Sequence, residues 1–164
     1  MKQCICFFVI VAITLGLIGC AKPKETIQEP ARGYYCTDPN DYKNTRKVIE
    51  FEVFDAEAYN DDLQLLLNDY LKGPKSDKLT NPFPDSCAVE SINIYGDEVH
   101  LVLNTRFARL TGIDLMLACA CISLTLFALS DCNSVYFSVP NILLDGQREI
   151  IMQRDDIILE YINK

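Results

Sequence analysis

A single histidine, His100, serves a chain of 164 residues. Any Ser–His or Cys–His nucleophile pair would have to be built on that one ring, with Cys36, Cys87 or Cys132 as a candidate thiol. A His-Glu-x-x-His zinc site is excluded. The chain also lacks Gly-x-Ser-x-Gly, a Walker loop and Gly-x-Gly-x-x-Gly. Hydrolase elbows, phosphate loops and dinucleotide folds therefore have no footing in the sequence. Cys119 and Cys121 stand without the second pair that metal spacing needs, so no cofactor or metal is implied. Basic residues are scarce: 15 Lys+Arg face 23 Asp+Glu. Setting aside residues 1–19 removes only Lys2 and leaves 14 against 23, a net charge of −9. That balance argues against nucleic acid, where phosphate neutralisation needs clustered Lys and Arg. It argues equally against docking on anionic lipid through a basic face. Eleven acidic residues against three lysines fall between Phe51 and His100, the pattern of a solvated acidic surface. The neighbouring acids Asp61-Asp62 and Asp155-Asp156 would point apart on a helix, so neither pair forms an acid/base couple. No internal repeat is present.

What is present begins with an apolar run: no charge lies between Gln3 and Ala21. Its length is near that of a membrane helix. A basic start, an apolar stretch and small residues near a cut also fit a cleavable signal. Leu17-Ile18-Gly19-Cys20 separates the two, because it resembles the bacterial lipobox. That resemblance implies that the Cys20 thiol receives diacylglycerol and that residues 1–19 leave as a signal peptide. Cys20 then becomes an anchored N-terminus. Ala21 to Arg32 is polar, with Pro23 and Pro30, and reads as a linker spanning at most roughly 40 Å. The expected division is 1–19 signal, 20–32 lipidated Cys and linker, and 33–164 a single domain.

Within that domain Tyr34-Tyr35-Cys36-Thr37 is a short strand, followed by turn chemistry at Asp38-Pro39-Asn40-Asp41. Lys47 to Phe54 alternates, with Ile49, Phe51 and Val53 on one face and Val48, Glu50, Glu52 and Phe54 on the other. Asp55 is placed to cap a helix whose stripe is Tyr59, Leu63, Leu66, Leu67, Tyr70 and Leu71. Gly73-Pro74 ends it. Val89–Ile94 and Val99–Leu103 form a hairpin about Gly96-Asp97. Thr111 to Asp114 has the form of a capping box. The following run, Leu115 to Ser130, is uncharged and short for a membrane span, and reads as a buried core helix. Ser134 to Val139 alternates as a further strand, and the tail adds a strand or short helix near Glu149–Met152 and Ile157–Ile162. The order β-β-α-β-β-α-β predicts an α+β two-layer sandwich: one mixed, mostly antiparallel sheet with two helices on one face.

Several of these segments, taken in order, resemble the GerMN domain of bacterial sporulation and spore-germination proteins. They are Leu65 to Pro74, Asn81 to Pro84, Val89 to Ile94, and Val99 to Asn104 with Phe107. Ile122 to Phe127, Ser134 to Val139 and Gly146 complete the set, which covers roughly Tyr34 to Gly146. The resemblance implies an extracytoplasmic, often lipid-anchored domain in the envelope of spore-forming or related Gram-positive bacteria. It supplies no catalytic residues. Some members carry two copies of the domain, and this chain has room for one.

Eight cysteines are accounted for as follows. Cys4 and Cys6 leave with the signal and Cys20 takes lipid. Cys119 and Cys121 read as small buried apolar residues, and Cys36, Cys87 and Cys132 can form at most one disulfide among themselves. Two helices covering one sheet face would leave the other open, carrying Glu50, Glu52, His100, Val102, Asn104, Ser134, Tyr136 and Ser138. Tyr offers large contact area with a polar tip, so Glu50, Glu52, His100, Val102 and Tyr136 are the candidate binding residues. An ordinary solvated sheet face fits the same pattern equally well. The functional expectation is a non-catalytic, membrane-anchored lipoprotein that meets envelope or sporulation proteins and no nucleic acid. A ligand-binding or regulatory lipoprotein, and a hydrolase built on His100, stay open beside it.

Overall fold

Strand β1 (Ala31–Thr37) opens the computed structural model, which describes residues 31–60 and 62–157. The apolar start, Cys20, the linker before Ala31 and the end of the tail lie outside the described residues. Ala31 and Arg32, assigned to the linker from sequence, already pair with Phe54 and Val53. After β1 come α1 (Pro39–Thr45), β2 (Ile49–Phe54), α2 (Leu63–Tyr70) and β3 (Leu79–Thr80). Then follow β4 (Val89–Tyr95), β5 (Glu98–Leu103), α3 (Gly112–Leu129), β6 (Ser134–Ser138) and β7 (Ile150–Gln153).

The α+β class and the mixed, mostly antiparallel pairing hold, but the strands separate into two sheets. One has the order β2-β1-β3 and is antiparallel throughout; the other has the order β4-β5-β6-β7, parallel only between β5 and β6. The β4–β5 hairpin turns on Gly96-Asp97 as expected. Gly96 takes φ +65°, a conformation that favours glycine at the first position of a two-residue loop. The Asp97 carbonyl then accepts from Asn133 N–H at 2.8 Å, which sets β6 beside β5.

Helix starts differ from the sequence reading. Asp38 to Asp41 opens α1 instead of a loop: Asp38 Oδ1 accepts from Asn40 N–H at 2.8 Å, and Pro39 sits in the first turn, where its missing N–H costs nothing. Asp55 precedes only a 3₁₀ turn, whose N-cap position is Ala56, and accepts from Glu57 N–H at 3.0 Å. The cap of α2 is Asp62, which accepts from Leu65 N–H at 2.9 Å. The end of α2 is as expected, and Gly73 adopts φ +111°. A Cβ there would meet Asn81 Nδ2 at 2.8 Å, so the position suits glycine twice over. At α3, Thr111 occupies the N-cap position without a side-chain bond, so the capping box does not form. Asp145 Oδ2 reaches back instead to Gly112 N–H at 2.7 Å.

Helices α2 and α3 bridge the two sheets. Tyr70 of α2 packs at a tilt against Tyr35 of β1 with centroids 4.8 Å apart, while Gln64 and Asn68 bond the backbone of β4. Helix α3 touches β1 on one side and β6 and β7 on another. Six consecutive residues, Cys121 to Leu126, are buried, and six residues go more than once around a helix. That enclosure is why this segment can be apolar on every side. By length and composition Gly112–Leu129 could also cross a membrane, with mean hydropathy 2.1, and half of it is buried inside this fold.

The β1 edge explains how α3 is held. β3 pairs only with Cys36 and Thr37, so Tyr34 faces the gap without a partner strand. Its N–H donates to Thr125 Oγ1 at 3.0 Å, and its carbonyl accepts from the Tyr70 hydroxyl. Two side chains replace the missing ladder and satisfy groups that would be costly to bury alone. At the other end of α3, the Arg154 guanidinium donates to the carbonyls of Phe127, Ser130 and Cys132 and lies 4.7 Å over the Phe127 ring. A cation at a helix C-terminus also suits the helix dipole.

Candidate interaction face

Strands β5 and β6 follow their alternation. Val99, Leu101, Leu103, Val135, Phe137 and Val139 are buried, while Glu98, His100, Val102, Ser134, Tyr136 and Ser138 lie on the outer face, half-buried. Parallel register sets His100 beside Tyr136 and Val102 beside Ser138. The His100 and Tyr136 rings stack with centroids 4.1 Å apart and planes 5° from parallel. Tyr95, 62% exposed at the end of β4, meets His100 edge-on at 5.2 Å. Glu98 Oε1 accepts from the Tyr136 hydroxyl at 3.1 Å, and Glu98 Oε2 lies 3.4 Å from His100 Nε2. Glu149 approaches His100 Nδ1 at 3.7 Å. The Glu98 carboxylate, by accepting that hydroxyl, pushes the Tyr136 phenol above its ordinary value. Ile151, paired with Tyr136 from β7, adds an exposed apolar neighbour.

The structure thus brings His100, Val102 and Tyr136 together and separates Glu50 and Glu52 from them. Both glutamates lie on β2, in the other sheet. Glu50 pairs with Lys47 at 3.0 Å. Glu52 accepts from the N–H groups of Lys75 and Ser76 at 3.0–3.1 Å and holds the turn after α2. Their expected place on one open face assumed a single sheet. In their stead stand Tyr95, Glu98 and Glu149. The first two were within reach of the sequence, since a two-residue turn at Gly96-Asp97 pairs residue 95 with 98 and 93 with 100. Glu149 carries no such local signal, because β7 reaches β6 only through the tertiary fold.

The ring and polar partners of His100 are two tyrosines and two carboxylates, none of them a thiol or serine nucleophile. Among the described residues no group of three or more His, Cys, Asp and Glu is placed to hold a metal ion.

A concavity of about 510 Å³ lies between β1, the Asn81–Pro84 loop and the start of α3. Pro39, Pro82, Phe83, Leu110 and Leu117 give it apolar walls, and Arg109 and Asp114 supply charge. Cys36 also lines it. All five described cysteines are free thiols. Burial pushes the Cys87 thiol up to about 11 and that of Cys119 up to about 12. The Cys36 thiol interacts with that of Cys121.

The sequence profile described as Germane, sporulation and spore germination, matches residues 33–145. Among solved structures, one similar to this chain is that of the tandem GerMN domains of the sporulation protein GerM from Bacillus subtilis. It shows a TM-score of 0.51 at 21% identity, over 74% of this chain and 43% of that one. At that identity the likeness concerns the fold alone. This chain spans less than half the length of that tandem structure. No curated protein matches the sequence.

Proposed function

The chain belongs to the Germane family of sporulation and spore germination, and from that premise we propose that it is a lipid-anchored interaction module. In this reading the single GerMN-like domain is tethered to the membrane through Cys20 on the extracytoplasmic side. It performs no chemistry of its own and engages a protein of the sporulation, germination or envelope machinery. The observation that carries the binding role is the outer face of the four-stranded sheet. Tyr95, His100 and Tyr136 form a contiguous aromatic group, bordered by Glu98, Glu149 and Ile151. Rigid aromatic rings that keep a polar tip are favoured at the centres of protein interfaces. The carboxylates give the group a negative rim, which suits a partner patch carrying Lys or Arg.

Two experiments test the reading. Metabolic labelling with a radioactive fatty acid should mark the wild type and leave Cys20→Ala unlabelled. Equal labelling of both overturns the anchor. Tyr136→Ala combined with Val102→Ser should leave the melting temperature nearly unchanged and weaken partner recovery from membranes. Undiminished recovery would move the site elsewhere. A ligand-binding role has its own support in the cleft beside Cys36. Recovery insensitive to Tyr136 but lost on Arg109→Ala would favour it.

A further inference from the structure

Cys36 stands where β1 meets α3. Two positions before it, Tyr34 N–H donates to Thr125 Oγ1 at 3.0 Å. Two residues advance a strand by about 6.6 Å, and four residues move back along a helix by about 6 Å. Cys36 shares its cleft wall with Asp114 and Leu117, nearer the start of α3, so β1 runs against α3 and Cys36 comes level with Cys121. The two thiols do interact directly. Their surroundings differ sharply: Cys121 is fully buried, whereas Cys36 is half-buried and forms part of the cleft wall. Cys87, Cys119 and Cys132 are buried and do not line that cleft.

We propose that Cys36 and Cys121 are a reactive dithiol that closes to a disulfide between β1 and α3, with the cleft admitting a small organic disulfide as the oxidant. The Cys36 thiolate attacks one sulfur of R–S–S–R, forming Cys36–S–S–R and releasing RS⁻. That released thiolate takes the proton of Cys121. The Cys121 thiolate then attacks the Cys36 sulfur, forming Cys36–S–S–Cys121 and releasing the second RS⁻, which takes up the proton that Cys36 lost. Two protein thiols are oxidised and one small disulfide is reduced to two thiols. The order of attack follows from access and acidity. Cys36 is reachable, and its neighbour's thiol lowers its own value. Burial raises Cys121, which makes it the resolving thiol.

The test uses the full chain, purified in detergent under reducing conditions and then exposed to oxidised glutathione. Peptide mapping should recover a Cys36–Cys121 cross-link from the wild type. Cys121→Ala should stop at a Cys36–glutathione adduct, and Cys36→Ala should leave Cys121 unmodified. Closing the link should also raise the midpoint of thermal unfolding by several degrees, reversed by a reductant. The proposal is overturned if the wild type accumulates the Cys36 adduct without cross-linking up to about pH 9. It is equally overturned if Cys36 links to Cys87 or Cys132, or if neither cysteine is consumed. Should Cys121→Ala fail to fold, the wild-type map alone decides.

Discussion

β2 and β5 are both six residues long, and both alternate in hydropathy. Only β5 sorts its side chains as alternation demands. Val99, Leu101 and Leu103 are buried, whereas in β2 Phe51 is 36% exposed and Val53 is 57% exposed. The difference lies in what covers each strand. β5 has strands on both sides and its inner side chains belong to the main core. β2 is an edge strand, and Phe51 has the Tyr34 ring and the Arg32 guanidinium against it. Period two tells which residues share a face. It does not tell whether anything lies on that face. In the centre of the fold the pattern disappears altogether: Gly33, Tyr34 and Tyr35 are buried in succession in β1, as are six residues of α3.

The sharpest way to break this comparison is a pair of Phe to Ala substitutions. Phe137→Ala, on the inner face of β6, should cost about 3–5 kcal/mol. Phe51→Ala should cost about 1 kcal/mol or less, as surface changes do. Equal losses in denaturant titrations would mean that β2 is covered after all.

Next in size is the lock on α3. Arg154→Ala removes donors from three carbonyls and should cost about 2–3 kcal/mol, the range for hydrogen bonds to a charged group. Arg154→Lys should recover only part of it, because an ammonium cannot reproduce the planar fork. Full recovery would show that the charge alone matters.

A smaller effect is expected at the first sheet's open edge. Tyr70→Phe leaves the Tyr34 carbonyl without its donor and should cost about 1–2 kcal/mol, with the ring packing against Tyr35 and Phe83 intact. An unchanged midpoint would mean that water reaches the carbonyl.

The smallest effect is expected at Ser123, fully buried in α3 with no hydrogen-bond partner for its hydroxyl. Ser123→Ala should change stability by less than about 1 kcal/mol, towards greater stability, because an unpaired buried hydroxyl is a liability. Destabilisation beyond that would reveal a partner for the oxygen.

These contrasts also mark what was legible in the residues. The second sheet was, because the hairpin at Gly96-Asp97 and the alternation of β5 and β6 are local signals. So were the buried middle of α3, Cys121 to Leu126, and the stop at Gly73-Pro74, whereas Met116, Ala128 and Ser130 of the same run are exposed. The division into two sheets was not, because β1 pairs with β3 across a long stretch of chain and leaves no periodic trace. The start of α2 was misplaced because Asp55 and Asp62 are both good caps, and only the fold assigns the first to a 3₁₀ turn. Of the candidate binding residues, His100, Val102 and Tyr136 fall together because they sit on adjacent strands. Glu50 and Glu52 were grouped with them by an assumed single sheet. The nearness of Cys36 to Cys121 depends on how β1 lies along α3, which no spacing rule encodes.

The bond from Tyr34 N–H to Thr125 Oγ1 gives the domain a built-in reporter. Most strand amides exchange with solvent deuterium when their ladder opens. This one is shielded by a side chain of α3, so its exchange follows the undocking of that helix from β1 while the β1–β2 ladder stays closed. Measured beside amides bonded within the β1–β2 ladder, it would separate loss of helix docking from loss of the sheet within one spectrum.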